Sequence, residues 1–443
     1  MSTSRKQDLV YGFGNTGLSI ARYLSRQQSP AIYIDSRATP PGVAALKQIQ
    51  PAAEILVGPP DPNVLTRVNR IIVSPGISDD DAFLVAARAA GIEIVSDIEL
   101  FVEQATAPFV AITGSNGKST VTTLLTKMCE AAGLTAHAGA NLGTPALDLL
   151  AAETPDLFVL ELSSFQLQRT RHLPARIAVL LNISADHLDW HRDEAEYREA
   201  KYRILNEASA VVINRTDAES RNRVTAEQTC RSFALNEPRR QNYGLTEHDG
   251  ETFLSRGDER LLPTSKIALV GVHNQENALA ALATGDVLGL PMPAMLSVLE
   301  SFAGLPHRMQ RVRRWHDVDF INDSKATNVA AAIAAVSSVG GPVVLIAGGQ
   351  GKGGDFSAFA AAVHDKLRAA VLIGEDADVI AGAFANKTNI LHADSLGAAV
   401  SLAAREAQSG DTVLLAPACA SFDQFANYMQ RGIAFCDAVE ALR

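Results

Sequence analysis

Cysteine is scarce in this chain, which holds four cysteines among 443 residues. They show neither the spacing of a metal site nor the density of a disulfide framework, so the composition is typical of a protein from a reducing compartment. Apolar runs long enough to span a bilayer are missing as well. A glycine loop also follows the N-terminus before a signal-type apolar core could form. We therefore expect a cytoplasmic protein with no membrane partner.

The chain also lacks an excess of positively charged residues. The formal net charge is −10 at pH 7, whereas proteins that bind nucleic acids normally present a basic face, so we expect no nucleic-acid partner. Apolar residues make up 47% of the chain and charged residues 20%, which excludes a disordered chain and allows large hydrophobic cores. A length of 443 residues favours two or three domains.

The stretch Val110–Thr122, VAITGSNGKSTVT, is the strongest motif that is present. It reads as an apolar strand, a glycine loop and the start of a helix. Glycines let backbone N–H groups turn inward, and a helix N-terminus favours anions. Lys118 would reach the outer phosphates of a nucleotide, and a hydroxyl of Ser119 or Thr120 would hold Mg²⁺. The alternative is an ordinary strand–turn–helix without a ligand.

The loop of this motif, Gly114-Ser115-Asn116-Gly117, is a shortened variant. The general spacing G-x-x-x-x-G-K-[ST] would place a glycine where the chain has Ile112. Farther along, the apolar strand Leu157–Leu162 carries Glu161. An acidic residue at the end of such a strand is the usual magnesium ligand beside a phosphate loop. A glutamate that caps a helix is the alternative for this position.

A second glycine motif stands near the N-terminus. Gly12–Gly17, GFGNTG, follows a short apolar strand, and the next strand, Ala31–Ile34, ends at Asp35. Taken alone, this pattern predicts NAD, because a dinucleotide site places a carboxylate for the ribose at this distance. The motif specifies only a turn that accommodates a diphosphate, so another nucleotide remains an alternative. The loop Ser74-Pro75-Gly76-Ile77 follows the strand Arg70–Val73 and is a further candidate site.

Several isolated residues of the central region carry weaker signals. His187 follows the strand Ile177–Leu181 and is a candidate metal ligand, with an ordinary surface histidine as the alternative. Lys201 lies in an amphipathic helix over Glu194–Asn206, where periodicity alone predicts a solvated lysine. A strand is predicted over Ile267–Val270. The polar stretch 215–262 gives no clear prediction.

The C-terminal region begins at the turn Leu305–Arg308, where an arginine beside a hinge could reach a phosphate. The dense polar loop Asn322–Asn328, NDSKATN, lies between a strand and an alanine-rich helix. Glycine or small-residue loops then follow two further strands, at Gly348–Gly354 and Pro417–Ser421. Tight turns without a ligand are the alternative for these loops.

Strands, glycine loops and helices alternate along the whole chain, which predicts an α/β fold. We predict three domains. They are a Rossmann-like N-terminal domain over residues 1–96, a central P-loop-type ATPase domain over residues 97–304, and a Rossmann-like C-terminal domain over residues 305–443.

The motifs TGSNGKST, ELSSFQ, N-x-x-x-DH-x-D, PHR, NDSKATN and PACASFDQF follow one another over nearly the whole chain. This series resembles the Mur ligase family. The resemblance implies that the N-terminal domain binds the UDP of a precursor, rather than NAD, and that the C-terminal domain binds an amino acid. The implied substrates are ATP, UDP-N-acetylmuramoyl-L-alanine and glutamate. The precursor carboxylate would attack the γ-phosphate, and the glutamate amine would then attack the acyl phosphate.

The resemblance also implies roles for individual residues. The precursor would be bound by Asn15, Thr16, Ser36, Arg37, Ser74, Gly76 and Asn141. ATP would be bound by Gly114, Ser115, Asn116, Gly117, Lys118, Ser119, Thr120, Asn277, Arg308 and Asp323. Two Mg²⁺ ions would be held by Ser119, Thr120, Glu161, His187 and a carbamylated Lys201. The amino acid would be bound by Lys325, Thr327, Lys352, Ser421 and Tyr428. Lys118, His187 and Lys201 would act in catalysis.

Four alternatives remain open at this point. The same chemistry with L-glutamate is one, because Tyr428 stands where the family often has Phe and so leaves the stereochemistry of the amino acid open. An NAD-linked oxidoreductase built on Gly12–Gly17 and Asp35 would leave the phosphate loop unexplained. A non-catalytic ATP switch would bind ATP without turnover that depends on glutamate. A ligase of the folylpolyglutamate type would not need a domain for UDP. We expect a monomer.

Overall fold

The computed structural model describes residues 6–184, 190–269, 271–351, 355–385 and 387–443. The chain forms two compact units, one comprising Met1–Ser265 and Glu276–Val298, the other Lys266–Gln275 and Leu299–Arg443. The first unit contains two β-sheets and the second contains one. Across these described ranges, no helix combines the length and the apolar character that a membrane span requires.

The first sheet is formed by the N-terminal strands. These are β1 (Gln7–Tyr11), β2 (Ala31–Asp35), β3 (Glu54–Val57), β4 (Val68–Val73) and β5 (Glu93–Ser96). The associated helices are α1 (Asn15–Arg26), α2 (Val43–Ile49), α3 (Ala82–Ala89) and α4 (Asp97–Gln104). All strand pairs are parallel, in the order β3-β2-β1-β4-β5. The order reverses between β1 and β4, so the loops after these two strands lie side by side.

Side chains of this sheet are buried on both faces. Leu9 and Tyr11 belong to one apolar cluster, and Val10 belongs to the other. Because successive side chains of a strand point to opposite faces, a parallel sheet that helices cover on both sides needs continuous apolar runs. This explains why its strands are readable in the sequence.

The second sheet has nine strands. These are β6 (Phe109–Thr113), β7 (Ala136–Ala140), β8 (Leu157–Glu161), β9 (Ile177–Leu180), β10 (Ala210–Asn214), β11 (Thr229–Phe233), β12 (Tyr243–His248), β13 (Glu251–Arg256) and β14 (Glu259–Pro263). The helices of this region are α5 (Lys118–Ala131), α6 (Ala146–Leu149), α7 (Ser164–Arg169), α8 (Glu194–Tyr202), α9 (Ala218–Asn222), α10 (Val272–Leu288) and α11 (Met292–Ser301). The strand order is β14-β13-β12-β11-β10-β9-β6-β8-β7, and only the pairs β12–β13 and β13–β14 are antiparallel.

Two features of this region differ from the sequence-based expectations. The stretch 215–262, which gave no prediction, contains β11–β13 and most of β14, which are only partly buried and carry exposed polar residues such as Thr229, Glu247 and Glu259. The predicted strand over Ile267–Val270 is wrong for its described residues, 267–269, which are irregular and follow the 3₁₀ turn Thr264–Lys266. Ile267 and Leu269 are buried, so a short apolar run imitated a strand.

The third sheet lies in the second unit. Its strands are β15 (Gln310–Trp315), β16 (Val318–Asn322), β17 (Val343–Gly348), β18 (Leu367–Ile373), β19 (Asn389–His392) and β20 (Thr412–Leu415). Its helices are α12 (Val329–Ser338), α13 (Phe356–Val363), α14 (Ala377–Phe384), α15 (Leu396–Glu406) and α16 (Tyr428–Glu440). The order is β15-β16-β20-β17-β18-β19, and only β15 is antiparallel to its neighbour. The α/β class with three sheets is as predicted, while the exact domain boundaries stay predictions.

Candidate active site

The phosphate loop joins β6 to α5. Gly117 is the N-cap of α5 and adopts the left-handed conformation, with φ at +83°. A Cβ atom there would collide with the side-chain oxygen of Asn277 from α10. Glycine is therefore required both by the backbone angle and by the close approach of this asparagine. Asn277, which the family resemblance implies as an ATP contact, thus lies next to Gly117 although the two residues are far apart in sequence.

The loop is held in place by the segment that follows β9. Ser115 N–H donates to the carbonyl of Asn182 at 2.8 Å, and Asn116 N–H donates to the Asn182 side chain at 2.9 Å. The Ser115 hydroxyl lies 2.7 Å from the Tyr197 hydroxyl and donates to the Ser184 carbonyl at 3.0 Å. This network fixes the loop conformation before any ligand arrives.

Two lysines converge on one carbonyl of this loop. Lys118 Nζ donates to the carbonyl oxygen of Gly114 at 2.8 Å, and Lys201 Nζ donates to the same oxygen at 2.9 Å. Lys201 is only 1% exposed, and its Nζ lies 4.8 Å from the ring centroid of Tyr197. The expectation of a solvated Lys201 is therefore wrong. Two lysine side chains therefore meet at a glycine loop before a helix N-terminus, and a helix N-terminus favours anions.

Glu161 stands at the end of β8, close to this loop in the sheet, since β8 pairs with β6. It is 2% exposed, and its Oε1 accepts a hydrogen bond from Asn141 Nδ2 at 2.6 Å. Its Oε2 is buried and has no hydrogen-bond partner among the residues that the structure describes. The helix-capping alternative is wrong, because Ser163 caps α7 in a capping box with Gln166.

A buried carboxylate oxygen without a donor is costly unless a cation compensates for its charge. Oxygen ligands near 2 Å suit Mg²⁺, which is usually held by one or two carboxylates together with substrate phosphates. The donors present, Glu161 and the hydroxyls of Ser119 and Thr120, fit that preference. In the described ranges, no group of three or more His, Cys, Asp or Glu side chains is arranged so that it could hold a metal ion. His187, the other predicted ligand, lies outside them.

The two N-terminal loops lie side by side at the carboxyl edge of the first sheet, the position of the ligand crevice in sheets of this topology. The Ser74 hydroxyl donates to the carbonyl of Gly12 at 3.1 Å and so connects the loops after β4 and β1. A Cβ atom at Gly17 would overlap the same Gly12 carbonyl, which explains that glycine. Around this edge lie the other predicted precursor-binding residues of the N-terminal sheet, most of them exposed: Asn15, Thr16, Ser36, Arg37 and Gly76.

Asp35 is engaged by donors of the protein itself in this arrangement. Its carboxylate accepts hydrogen bonds from Phe13 N–H at 2.8 Å and from Arg37 Nε at 2.8 Å. Burial would raise the pKa of Asp35, but the hydrogen bonds from Arg37 and from the backbone outweigh it and lower the pKa. A carboxylate already paired in this way holds the loop together, so the motif gives no support for NAD.

The second unit assembles its own set of predicted residues at the carboxyl edge of the third sheet. Lys325 Nζ lies 4.3 Å from the ring centroid of Tyr428, the first residue of α16. Ser421 is buried in the loop after β20, and Thr327 N–H donates to the Lys325 carbonyl at 2.7 Å. Lys352 lies outside the described residues.

A buried arginine that sequence reasoning missed joins the loops of this edge. Arg431, 1% exposed, donates through Nε to the Ser324 hydroxyl at 3.0 Å and through Nη1 to the Cys419 carbonyl at 3.1 Å. Burial lowers its pKa to about 10. The Ser324 hydroxyl in turn donates to the Tyr428 carbonyl at 2.8 Å. No motif signalled this role, because an arginine on a helix is usually exposed.

Arg308 lies in a strained turn of the second unit. Its neighbours His307 and Met309 have φ angles of +63° and +44°, and strained angles of this kind are enriched at functional sites. Met309 N–H donates to Asp323 Oδ1 at 3.3 Å. Burial of the Asp323 carboxyl group raises its pKa to about 6, although the Met309 amide and the charge of Arg308 act in the opposite direction.

Comparison with known proteins places this geometry in a family. Sequence models match residues 6–96 as the Mur ligase MurD-like N-terminal domain, 112–285 as the Mur ligase middle domain and 307–419 as the Mur ligase glutamate ligase domain. A UDP-N-acetylmuramoylalanine--D-glutamate ligase of Pseudomonas syringae pv. tomato is 48% identical over 438 residues, which cover 98% of each chain. The chain belongs to the Mur ligase family.

Other Mur ligases are similar to this one over its full length. A protein of the same name from Legionella pneumophila subsp. pneumophila is 46% identical over 441 residues, 98% of this chain and 99% of that protein. The MurF ligase of Thermotoga maritima, solved in complex with ADP, has a TM-score of 0.62 at 16% identity and covers 99% of both chains. The MurC ligase of the same organism has a TM-score of 0.61 at 16% identity, covering 98% of this chain and 99% of that chain. These structures show the shared three-domain fold.

Sequence reasoning missed several residues around the phosphate loop of this Mur ligase. Tyr197 contacts both Ser115 and Lys201, and its position one helical turn before Lys201 was an available signal. His191 is buried, with Nε2 at 2.9 Å from the Ser164 hydroxyl. Ser164 is the first residue of α7, so this contact lies at the start of that helix.

Proposed function

We propose that this Mur ligase is a cytoplasmic enzyme that uses ATP to join D-glutamate to UDP-N-acetylmuramoyl-L-alanine, forming an amide in peptidoglycan precursor synthesis. The observation that carries the chemistry is the convergence of Lys118 and Lys201 on the Gly114 carbonyl, beside the buried carboxylate of Glu161. The full-length relatives at 45–48% identity, named for this reaction, support the choice of substrates.

The first step is activation of the precursor carboxylate. One carboxylate oxygen attacks the γ-phosphorus of ATP, the bond to the β–γ bridging oxygen breaks, and ADP leaves with that electron pair. Lys118 would turn from the loop carbonyls to the phosphates and neutralise the charge of the transferred group. Mg²⁺, held by Glu161, His187 and a hydroxyl of Ser119 or Thr120, would reduce the repulsion between the carboxylate and the phosphates.

Lys201 would act in a modified form. The buried amine would add to CO₂, forming an N–C bond and losing one proton, which gives a carbamate. This group would replace a buried cation with an anion that could help to hold a second Mg²⁺. The proposal is supported by the position of Nζ against the Gly114 carbonyl and the Thr113 hydroxyl, at 2.9 and 3.4 Å. It explains why a lysine is buried at this point.

The second step is amide formation. The amine of D-glutamate attacks the acyl-phosphate carbonyl, the C–O bond to phosphate breaks, and the amine loses its proton. Lys325, Thr327, Ser421, Tyr428 and Lys352 would hold the carboxylates of the amino acid. Arg308 and Asp323 would contribute to ATP binding.

The acyl phosphate is tested by an oxygen-labelling experiment. The precursor carries ¹⁸O in both oxygens of its alanyl carboxylate, and the released products are analysed by mass spectrometry after one turnover with ATP and D-glutamate. We expect one ¹⁸O atom in inorganic phosphate and none in ADP. Label in AMP would instead indicate an acyl adenylate and contradict the proposed mechanism, and release of unlabelled phosphate would indicate simple ATP hydrolysis.

A further inference from the structure

A single arginine connects the central β-sheet to the precursor crevice of the first sheet. Arg169, the last residue of α7, donates through Nε to Asp79 Oδ1 at 2.9 Å and through Nη1 to the carbonyl of Ser74 at 3.2 Å. Its Nη2 donates to the carbonyl of Ile77. Only 7% of this side chain is exposed, so the guanidinium group is committed to the loop after β4.

The loop that Arg169 holds is one wall of the crevice. Two of its carbonyl oxygens accept from Arg169, and the Ser74 hydroxyl donates to the Gly12 carbonyl of the opposite loop at 3.1 Å. Hydrogen bonds from a charged donor are stronger than those between neutral groups, so these contacts resist displacement of the loop. The position of both loops therefore depends on where α7 holds its last residue.

Helix α7 is itself anchored next to the catalytic groups. It begins directly after the end of β8, which carries Glu161, and the capping box of Ser163 and Gln166 fixes its first turn. The Ser164 hydroxyl lies 2.9 Å from His191 Nε2. One short helix thus spans from the carboxylate proposed to bind Mg²⁺ to the loop proposed to bind the precursor.

The residues just after Arg169 attach the same two sheets without contacting the precursor loop. The Thr170 hydroxyl lies 3.4 Å from the Ser96 hydroxyl. Arg171 donates through its backbone N–H to Glu99 at 3.1 Å and through Nη2 to the Ile94 carbonyl at 3.1 Å. The contacts that attach α7 to the N-terminal region are therefore distinct from those that position the Ser74–Ile77 loop. Arg171 is half-exposed and makes only the first kind of contact, so it offers a matched control.

We infer that Arg169 is a positioning residue for the UDP-linked precursor, fixing the Ser74–Ile77 loop relative to Glu161 and the phosphate loop. The inference rests on the proposed function. Loss of Arg169 frees the loop, so the precursor binds more weakly and its carboxylate is less often aligned with ATP. ATP and glutamate, whose proposed contacts lie elsewhere, are bound as before.

The test compares Arg169→Gln, Arg169→Lys and Arg171→Gln by steady-state phosphate release, varying each of the three substrates in turn. We expect Arg169→Gln to raise the KM for the precursor at least tenfold and to leave the KM for ATP within twofold. Arg169→Lys keeps the charge but loses the forked guanidinium geometry, so its KM for the precursor is expected to lie between those of the wild type and Arg169→Gln. The KM values of Arg171→Gln are expected to equal those of the wild type. Equal KM values for the precursor in all four proteins would overturn the inference.

Calorimetric titration with UDP separates this inference from the proposed function, because it requires no turnover. Weaker UDP binding in Arg169→Gln than in Arg171→Gln supports the positioning role even if the wild-type protein releases no phosphate, and equal UDP binding contradicts it. Thermal unfolding is recorded for each variant. If Arg169→Gln is unfolded at the assay temperature, Arg169→Lys supplies the comparison, and equal precursor KM and UDP affinity in that variant and the wild type overturn the inference.

Discussion

Lys201 donates a hydrogen bond from Nζ to the carbonyl oxygen of Gly114 at 2.9 Å, although the two residues are 87 positions apart in the chain. Lys118 Nζ donates to the same carbonyl oxygen at 2.8 Å. A helix after β9 and a helix after β6 thus bring two lysine side chains to one glycine loop. This convergence is the core of the proposed phosphoryl-transfer site, and the predictions below test its parts.

Replacement of Lys118 by alanine removes the charge that would neutralise the transferred phosphoryl group. We expect kcat to fall by at least about 10²–10³-fold, the usual effect of losing one such donor. The assay is phosphate release at saturating substrates. Lys127→Ala is the control, because this lysine lies on the same helix α5 and is exposed. Near-normal turnover of Lys118→Ala would remove the phosphate-loop assignment.

Replacement of Lys201 by alanine tests the carbamate. Turnover is expected to be lost and to return in part when small carboxylates such as acetate or propionate are added, because they can occupy the space vacated in the buried pocket. Lys118→Ala is expected to gain nothing from the same additives, since its lost group is a cation. Absence of rescue in Lys201→Ala would count against the carbamate and leave the rest of the mechanism intact.

Glu161→Gln removes a buried negative charge whose Oε2 has no hydrogen-bond partner in the described part of the chain. We expect the Mg²⁺ concentration for half-maximal activity to rise at least about tenfold. Without Mg²⁺, the free energy of unfolding is expected to stay equal or increase, because an uncompensated buried charge is lost. Glu153→Gln, at an exposed position before β8, is the control. Unchanged Mg²⁺ dependence would argue that Glu161 is not a ligand.

The Asp323 carboxyl group makes stability depend on pH. Its pKa is raised from 3.8 to about 6, so between these values the folded protein binds a proton that the unfolded chain has released. The free energy of unfolding contributed by this group is therefore fully present below pH 4 and is lost as the pH rises through 6. The loss amounts to at most about 3 kcal/mol.

Asp323→Asn is expected to remove this loss. The variant should gain stability relative to the wild type as the pH rises from about 4 to 6, with a constant difference above that range, measured by urea unfolding. Asp97 also has a pKa of about 6. It is present in both proteins, so its contribution cancels when their free energies of unfolding are subtracted. A stability difference that does not change with pH would show that the Asp323 pKa is not raised.

The fold was largely readable from the sequence because its central strands are buried on both faces. Continuous apolar runs such as β6, β8 and β17 leave a clear signal. The antiparallel strands β12–β14 do not, since they are only partly buried and polar residues interrupt their apolar ones. At Ile267 and Leu269 a strand was predicted where the chain is irregular. An apolar run indicates burial, and it does not determine the backbone conformation.

The site was predictable where function depends on local sequence and not where it depends on tertiary contacts. The glycine loop with Lys118 is contiguous, so the motif shows it. Periodicity predicted a solvated Lys201, since only the tertiary fold places that face of α8 against the phosphate loop. The same holds for Arg169 and Arg431, which are buried by elements distant in sequence. Asp35 matched a ribose-binding pattern but is paired with Arg37, a contact that spacing alone does not show.

The most direct test of the account is the rate of phosphate release from ATP with UDP-N-acetylmuramoyl-L-alanine and D-glutamate, compared with L-glutamate and with no amino acid. We predict turnover that requires both the precursor and D-glutamate, with little release in the other two reactions. Turnover with L-glutamate instead would keep the phosphoryl chemistry but contradict the assignment of the amino-acid pocket around Lys325, Ser421 and Tyr428. Phosphate release that no combination of precursor and glutamate stimulates would contradict the ligase itself.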